Sequence, residues 1–271
     1  MNPLILLRGG GDLASGIALR LHRIGFQIII IELEKPLAVR RTVSFSEAVY
    51  EGLQSIEGTT ARLVSPDQLQ VTMETGEIPV LVDPNANILR NQFLTSPRST
   101  FVIDARLLKT EPEPLAIPVP LHIGLGPGFT AGENCHAVIE TRRGHSLGRV
   151  YWNGPAQADS GHPDGDPRRV LRATDNGILI AHVNIGDHIR EGQLVAEIQS
   201  LEGEKSEVPS LIAGVLRGII RPDIEVTEGM KIADVDPLDD PGVCFFISDK
   251  ALAVAGGAME AVLTVTKNLE E

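Results

Sequence analysis

The first 110 residues alternate between short apolar runs and stripes of apolar residues at helical spacing. Leu4–Leu7 and Gln27–Leu33 are apolar runs of strand length, and Asp12–Ile24 between them carries apolar residues along one helical face. A further strand is predicted over Phe101–Asp104. Because strands that alternate with helices are typical of a layered α/β arrangement, we predict an α/β domain over residues 1–110.

The residues beyond this domain show a β pattern interrupted by turns. Segment 109–114 contains two prolines and no apolar periodicity, which indicates a linker. A middle β segment with a glycine-rich loop is predicted over residues 115–157, and the polar, turn-rich stretch 158–167 marks a second seam. We therefore expect the chain to divide at two places.

An internal repeat follows the second seam. Residues 177–198 and 214–235 align without a gap at an offset of 37, with identical glycines at Gly177 and Gly214. Two copies are too few for a solenoid, which needs about three repeats or more. The half-repeat resembles the barrel-sandwich hybrid of lipoyl and biotinyl domains, so we predict an all-β domain of that kind over residues 168–247.

The last predicted element is a helix over residues 248–267. Ser248 is suited to cap it, and apolar residues recur at a spacing that gives the helix a broad apolar face. That face must pack either against the α/β domain or against a second subunit. A homo-oligomer is therefore one of two arrangements that the pattern leaves open.

A glycine-rich turn joins the first predicted strand to the first predicted helix. Gly9-x-Gly11-x-x-Ala14 matches the dinucleotide-binding fingerprint and lies between a strand and a helix, as that fingerprint requires. At Gly9, Gly10 and Gly11 the backbone can approach a phosphate, and the helix N-terminus supplies free N–H groups. The turn predicts a Rossmann-like domain that holds a phosphorylated ligand. The alternative is a structural turn in a fold that binds no nucleotide.

Charged residues near this turn both favour and oppose an anionic ligand. Glu32 ends the second predicted strand, where an acid would bond a ribose hydroxyl. Arg40 and Arg41 would clamp a phosphate near the mouth of the same crevice, or form a solvated pair that covers a helix start. Asp12 places an anion at the helix start, where it would compete with a pyrophosphate or cap the helix.

A second glycine-rich segment, residues 122–136, carries the other candidate chemistry. Gly126 and Gly128 allow exposed backbone amides that could form an anion nest. Cys135 beside His136 places a potential thiolate next to a potential base. This segment is therefore predicted to contribute both ligand-binding and catalytic groups.

The pairing of Cys135 with a histidine has alternatives. Adjacent side chains on a strand point to opposite faces, so His122 or His145 across the sheet is an alternative partner for the thiol. A lone buried cysteine also behaves as a small hydrophobe more often than as a nucleophile. Cys135, His136 and His145 are the candidate catalytic residues, and whether any reaction is catalysed stays open. The sequence contains neither H-E-x-x-H nor Cys-x-x-Cys, so no metal site is predicted.

Composition excludes several classes of protein. Among 271 residues, Lys and Arg number 24 against 36 Asp and Glu, which gives a net charge of −12, and aromatic residues make up 4%. An acidic chain with few aromatic residues lacks the basic faces and stacking platforms that nucleic acids and membrane surfaces require. Two cysteines are too few for a disulfide framework, and the start lacks a signal-peptide pattern. We expect a cytoplasmic protein with no nucleic-acid or membrane partner.

Four segments together resemble one protein family. They are RGGGDLASG at 8–16, RRTVSFSEAVYEG at 40–52, GLGPGFTAGENCHAVIETRRGHSLGRV at 124–150, and KIADVDP with CFFISDKALAVAGG within 231–257. The family is the selenium-dependent molybdenum hydroxylase maturation family, also called the YqeB family, which is related by role to the XdhC accessory proteins. The resemblance implies an accessory protein that helps to modify or insert the molybdenum cofactor, with a molybdenum hydroxylase apo-enzyme as its partner.

These observations lead to one main hypothesis and two alternatives. The main hypothesis is a maturation protein that binds a phosphorylated nucleotide such as NAD(P), or molybdopterin, at Gly9–Gly16, with Cys135 as a sulfur or selenium relay. The first alternative is an NAD(P)-dependent oxidoreductase, which the fingerprint alone favours. The second is a non-catalytic scaffold that keeps a vestigial dinucleotide fold.

Overall fold

The structure is a computed structural model that describes residues 3–90, 100–159, 161 and 165–270. Residues 160 and 162–164 of the predicted second seam lie outside this part of the chain. The chain forms two compact units. The first comprises Met1–Pro36, Ser44–Ser160 and Ile247–Glu271, and the second comprises Leu37–Val43 and Gly161–Phe246.

The first unit is built on one large mixed sheet. Its strands are β1 (Leu4–Arg8), β2 (Ile28–Glu32), β3 (Leu53–Ile56), β4 (Thr59–Leu63), β5 (Ile78–Val82), β6 (Thr100–Asp104), β7 (Leu121–Leu125), β8 (Thr130–Ala131), β9 (Ala137–Ile139), β10 (Val150–Tyr151) and β11 (Gly154–Pro155). Strands β8 and β11 form a separate pair, and the other nine lie in the order β10-β9-β7-β6-β1-β2-β5-β4-β3.

The centre of this sheet is parallel and its two edges are antiparallel. Strands β9, β7, β6, β1, β2, β5 and β4 pair in parallel, whereas β3 and β10 close the edges as antiparallel partners of β4 and β9. Every residue of β1, β2, β6 and β7 is buried. Continuous apolar runs such as Ile28–Ile31 suit this position because a central parallel strand is covered on both faces.

Helices in the described part of the chain belong mainly to the first unit. The α-helices are α1 (Asp12–Arg23), α2 (Ala48–Glu51), α3 (Leu69–Glu74) and α4 (Asp249–Glu270). Helix α4 packs on α1, and the contact is close because a Cβ at Gly16 would lie 3.0 Å from the Cβ of Ala251. The C-terminal helical face thus finds its partner within the first unit, as one of the two predicted arrangements requires.

Helix α4 also belongs to a segment with membrane-like composition. Within the described residues, the helical stretch Pro241–Leu269 is long and apolar enough to cross a membrane by length and composition alone. However, Val254, Ala258 and Val262 of α4 are completely buried. A single helix of this length and composition is weak evidence for a membrane span.

The second unit consists of two antiparallel sheets around one apolar core. Its strands are β12 (Val170–Arg172), β13 (Gly177–Ala181), β14 (His188–Ile189), β15 (Leu194–Gln199), β16 (Lys205–Pro209), β17 (Gly214–Ile219), β18 (Glu225–Val226) and β19 (Lys231–Asp236). The sheet orders are β12-β19-β17-β14 and β16-β15-β13-β18.

The internal repeat corresponds to repeated strands in the second unit. Strands β13, β14 and β15 of the first copy match β17, β18 and β19 of the second copy. A Cβ at Gly177 would overlap the carbonyl oxygen of Gln199, and a Cβ at Gly214 would overlap that of Asp236. The same close approach of two strands in each copy therefore explains why glycine is repeated.

These sheets correct the predicted fold class. A Rossmann-like N-terminal domain followed by a lipoyl- or biotinyl-like barrel-sandwich hybrid is wrong. The large sheet is mixed, with antiparallel edges, and it extends past residue 110 because β7 and β9 continue the parallel pairing. The remaining long strands form two four-stranded antiparallel sheets in a unit that also takes in Leu37–Val43. Apolar runs predict strands such as β1, β2 and β6, but they carry no information on which strands become neighbours.

Candidate functional site at the carboxyl ends of β1, β6 and β7

Two of three neighbouring parallel strands, β1 and β6, end in charged residues at one edge of the large sheet. Arg8 of β1 is in register with Asp104 of β6, and Asp104 is in register with Gly124 of β7. Arg8 is 2% exposed and Asp104 is completely buried. Since ligands of open α/β sheets bind outside the carboxyl ends of the strands, this edge is the candidate site.

Two arginines and two acids form a network at this edge. Arg8 Nη1 lies 3.2 Å from Asp104 Oδ2. Arg106 holds the same carboxylate with two bonds, Nε to Oδ1 at 2.9 Å and Nη2 to Oδ2 at 2.6 Å. Such two-pronged guanidinium–carboxylate bonds are strong and directional. Asp104 therefore fixes both guanidinium groups in position.

The second acid, Glu113, lies between the two guanidinium groups. Its Oε1 atom accepts from Arg8 Nη2 at 2.5 Å and from Arg106 Nη1 at 2.8 Å. Burial opposes ionisation of this carboxyl, but hydrogen bonds from Arg106 and Arg8 outweigh it and lower the pKa of Glu113 to about 2. The Glu113 side chain is nevertheless 54% exposed. Arg8 and Arg106 thus bind a carboxylate, that of Glu113, which is accessible to solvent.

His122 adds a neutral imidazole near these charges. It lies two residues before Gly124 on β7, so its side chain is on the same face of the sheet as Asp104. Burial lowers the pKa of His122 to about 4, although the nearby Asp104 carboxylate opposes the shift. Among the residues that the structure describes, none forms a hydrogen bond with its buried Nε2 atom. His122 is thus uncharged at neutral pH, and its Nε2 atom has no hydrogen-bond partner within the described part of the chain.

Cys135 is buried and protonated rather than activated. Burial raises the pKa of the Cys135 thiol to about 11, and backbone hydrogen bonds from Gly124 and Ala137 offset this only partly. The thiol packs in an apolar cluster with Phe129 and Val138. A reactive cysteine needs a lowered pKa, so this environment favours a resting thiol.

The three predicted catalytic residues are not brought together. His136 is exposed, whereas its neighbour Cys135 is buried, as alternation along an extended chain predicts. The Nδ1 atom of His136 accepts from the backbone N–H of His122 at 2.8 Å, so this ring nitrogen serves the backbone. His145 is exposed in a turn. The structure therefore contains a buried thiol and two exposed imidazoles instead of a triad.

The glycine turn uses part of its hydrogen-bonding capacity internally. Gly9 has a φ of +91° that favours glycine. The backbone N–H of Gly10 donates to Glu32 Oε1 at 2.5 Å, and Glu32 Oε2 accepts from the N–H of Leu33 at 2.8 Å. Burial raises the pKa of Glu32 by more than these two hydrogen bonds from backbone N–H groups lower it. Glu32 therefore supports the turn, where the sequence predicted a ribose contact.

The start of α1 remains open on one side. Among the described residues, none has a heavy atom within 4 Å of the place where a Cβ at Gly11 would stand. The Oδ1 atom of Asp12 accepts from the backbone N–H of Leu13 at 2.9 Å, which occupies one of the amides that an anion would use. Asp12 therefore competes with an anionic ligand for the Leu13 amide at the start of α1.

Gly126 and Gly128 pack against backbone rather than forming an open nest. A Cβ at Gly126 would lie 3.2 Å from the Cα of Leu107, and one at Gly128 would overlap the carbonyl oxygen of Thr110. The N–H of Gly128 donates to the carbonyl of Leu108 at 2.8 Å. These glycines let the segment from 107 to 110 approach closely, and ligand binding by them stays a prediction.

Arg40 and Arg41 belong to the second unit and bond to its carbonyl groups. Arg40 Nη2 donates to the carbonyl oxygens of Val243 and Phe246 at 3.3 and 3.0 Å. Arg41 Nε donates to that of Ile219 at 2.7 Å. Both arginines thereby stabilise the second unit, and a phosphate clamp made by them stays a prediction.

Sequence reasoning missed three members of the network, namely Asp104, Arg106 and Glu113. A polar residue at the end of a buried parallel strand is a usable signal, and it would have found Asp104. Glu113 carries no such signal because it lies in the proline-rich linker, 105 residues from Arg8 along the chain.

Two further features of the described residues concern possible ligand sites elsewhere in the chain. A cavity of about 840 Å³ lies beside the carboxyl ends of β4 and β5, and Asp83, one of its polar lining residues, accepts hydrogen bonds from Asn87 and Ile88. In the part of the chain that the structure describes, no three His, Cys, Asp or Glu side chains form a group that could hold a metal ion.

The fold and the site define an α/β protein with an arginine pair at the carboxyl edge of a mixed sheet. No protein-family model matches the chain. Over 268 residues, or 97% of its length, the chain is 42% identical to the uncharacterized protein YqeB of Escherichia coli (strain K12). The chain is a homologue of this protein, which supports its membership of the YqeB family. It spans 48%, about half, of that curated relative's length.

Solved structures resemble the chain only weakly. The product-bound ectoine utilization protein EutE (DoeB) from Ruegeria pomeroyi is 11% identical, with a TM-score of 0.28 over 86% of this chain and 85% of its own. A succinylglutamate desuccinylase/aspartoacylase from Rhodobacter sphaeroides is 15% identical, with the same TM-score and coverage. Similarities this low carry no argument about the chain. The comparisons also give no support to the predicted role in molybdenum hydroxylase maturation.

Proposed function

We propose that this chain binds a small anionic ligand where Arg8 and Arg106 converge, at the carboxyl ends of β1 and β6. One observation carries the proposal: both guanidinium groups donate to the same carboxylate oxygen, Glu113 Oε1, at 2.5 and 2.8 Å. Guanidinium groups recognise carboxylate and phosphate in this way. The arrangement is therefore chemically suited to an anion.

The surroundings support a ligand at this edge rather than a purely structural ion pair. Arg8 is almost completely buried, and no described residue accepts a hydrogen bond from its Nε atom. Gly9 follows Arg8 directly in the chain. Two residues further on, no described atom lies within 4 Å of the place where a Cβ at Gly11 would stand. A ligand bound to the arginines would thus extend along the glycine turn. A nucleotide such as NAD(P), as predicted from the turn, fits this path because each phosphate of its pyrophosphate bridge carries one negative charge.

Titration of the full chain tests the proposal. NAD, NADP, ATP, GTP and inorganic phosphate are added to the wild type, Arg106→Ala and Arg106→Lys, and binding is followed by calorimetry and thermal shift. We expect at least one probe to bind the wild type and to lose about tenfold or more in affinity in both variants, because lysine cannot replace a two-pronged guanidinium. The exposed Arg142 provides the control Arg142→Ala. Equal affinities in all four proteins would contradict the proposal.

The maturation role implied by the family resemblance stays a prediction, as do a cytoplasmic location and a hydroxylase apo-enzyme partner. Cys135 would act as a sulfur or selenium relay only after its environment changes, since burial raises the pKa of its thiol to about 11. Activation of a hydroxylase with wild type or Cys135→Ser tests this role. Full activation by Cys135→Ser would exclude the relay.

A further inference from the structure

We propose that Glu113 is an internal substitute for the anionic group of the ligand, and that the ligand displaces it with a group carrying a single negative charge. This inference rests on the proposed function of the Arg8–Arg106 site. It identifies the ligand class as a carboxylate or a phosphodiester. It also identifies Glu113 as a residue that weakens binding in the free protein.

Exposure separates Glu113 from the other members of the network. The side chains of Arg8 and Asp104 are 3% and 0% exposed, and that of Arg106 is 24% exposed, whereas that of Glu113 is 54% exposed. Glu113 also lies outside the sheet, between Pro112 and Pro114 in a segment without regular secondary structure. Asp104 cannot leave without disrupting β6, but Glu113 can move into solvent.

The charges of the remaining groups set the charge of the ligand. Without Glu113, two guanidinium groups face the single carboxylate of Asp104, which leaves one positive charge. His122 adds none at neutral pH because burial lowers its pKa to about 4. A buried charge without a partner is costly, so one negative charge balances the site. A dianion would leave an excess negative charge beside Asp104.

The geometry of the contact also matches such a group. Glu113 presents one oxygen to both arginines, and its second oxygen adds no described contact with either of them. The buried Arg8 Nε atom likewise has no acceptor among the described residues. A carboxylate or phosphodiester that enters more deeply could use both of its oxygens and so bind more strongly than Glu113.

Matched variants within one segment provide the test. Glu113→Ala removes the substitute anion, and Glu111→Ala removes another exposed acid two residues earlier. Glu113→Gln keeps the size of the side chain without its charge and decides the question if the alanine variant folds poorly. The probes are acetate, dimethyl phosphate and inorganic phosphate, each measured by calorimetry above the second pKa of phosphate.

We expect acetate and dimethyl phosphate to bind Glu113→Ala about tenfold more tightly than the wild type or Glu111→Ala. Glu113→Gln should shift in the same direction, and inorganic phosphate should gain less than dimethyl phosphate. Adding Arg106→Ala to Glu113→Ala should abolish the gain.

The outcomes separate the two proposals. Binding that is equal in the wild type, Glu111→Ala and Glu113→Ala would overturn the role of Glu113 but leave the anion site intact. An equal or larger gain for inorganic phosphate would overturn the single-charge assignment. If no probe binds any of these proteins, and NAD, NADP, ATP and GTP also fail to bind, both the anion site and the inference from it are overturned.

Discussion

The Glu32 carboxylate accepts a hydrogen bond of 2.5 Å from the backbone N–H of Gly10, at the centre of the glycine turn. A pyrophosphate bound in the manner of the dinucleotide fingerprint would need backbone amides of this turn. Because Glu32 already occupies the Gly10 amide, an anionic ligand at this edge depends more on Arg8 and Arg106. The turn matches the dinucleotide fingerprint in sequence, but the Gly10 amide that a pyrophosphate would need donates to Glu32 instead.

The stability contributed by Glu32 should decrease as pH rises. Burial raises the pKa of Glu32 above its ordinary value of 4.5, so the native state holds the proton more tightly than the unfolded chain does. Stability from this group is therefore fully present below 4.5 and is lost as pH rises through the raised pKa. Replacing Glu32 with Gln removes this dependence, so the Tm of the wild type minus that of Glu32→Gln should fall across this window.

Thermal unfolding at several pH values measures the effect of Glu32. The exposed neighbour Glu34 provides the control Glu34→Gln, which should show a constant difference in Tm from the wild type. If the Tm of the wild type minus that of Glu32→Gln instead rises with pH, the predicted direction of the stability change is wrong.

Alanine at Gly10 should destabilise the first unit, whereas alanine at Gly11 should be tolerated. A Cβ at Gly10 would lie 2.9 Å from the backbone nitrogen of Ser46 and 3.2 Å from Cγ2 of Ile30, but one at Gly11 would have no described neighbour within 4 Å. Overpacking of this kind costs about 1–3 kcal/mol. Urea unfolding of both variants measures the two free energies, and equal losses would contradict the close approach at Gly10.

Two adjacent glycines of α4 should respond to alanine with opposite signs. Gly256 is exposed and a Cβ there would meet nothing within 4 Å, whereas one at Gly257 would overlap the carbonyl oxygen of Gly148. Gly256→Ala should raise the free energy of unfolding by up to about 1 kcal/mol through helix propensity. Gly257→Ala should lower it. Chemical denaturation distinguishes the variants, and a stabilising Gly257→Ala would argue against this packing of α4.

The Cys135 thiol should resist alkylation in the folded protein. Burial raises its pKa to about 11, so the thiolate is scarce at neutral pH and access is restricted. Iodoacetamide followed by mass spectrometry should label Cys135 slowly in buffer and fully in denaturant. Rapid labelling of the native protein would instead reveal an activated thiol.

Local elements of this protein follow from its sequence. Apolar residues at helical spacing predict Asp12–Ile24, and α1 covers Asp12–Arg23. The repeat at an offset of 37 predicts paired strands, and its glycines at Gly177 and Gly214 lie at equivalent close contacts. Such features are local because periodicity and steric demand act over a few residues.

The arrangement of those elements, and with it the candidate site, was decided by the tertiary structure. The pattern along the chain does not state that β7 and β9 continue the sheet beyond residue 110, because strand neighbours are set by packing between distant segments. Arg8 and Glu113 meet across 105 residues of chain, and no local pattern relates them. Glu32 and Cys135 likewise differ from their predicted roles because burial and hydrogen bonding, which only the folded chain creates, raise their pKa values. The sequence alone therefore predicted β1, β2, β6, α1, α4 and the glycine turn but not strands β3 and β4, while the fold determined which charges face one another.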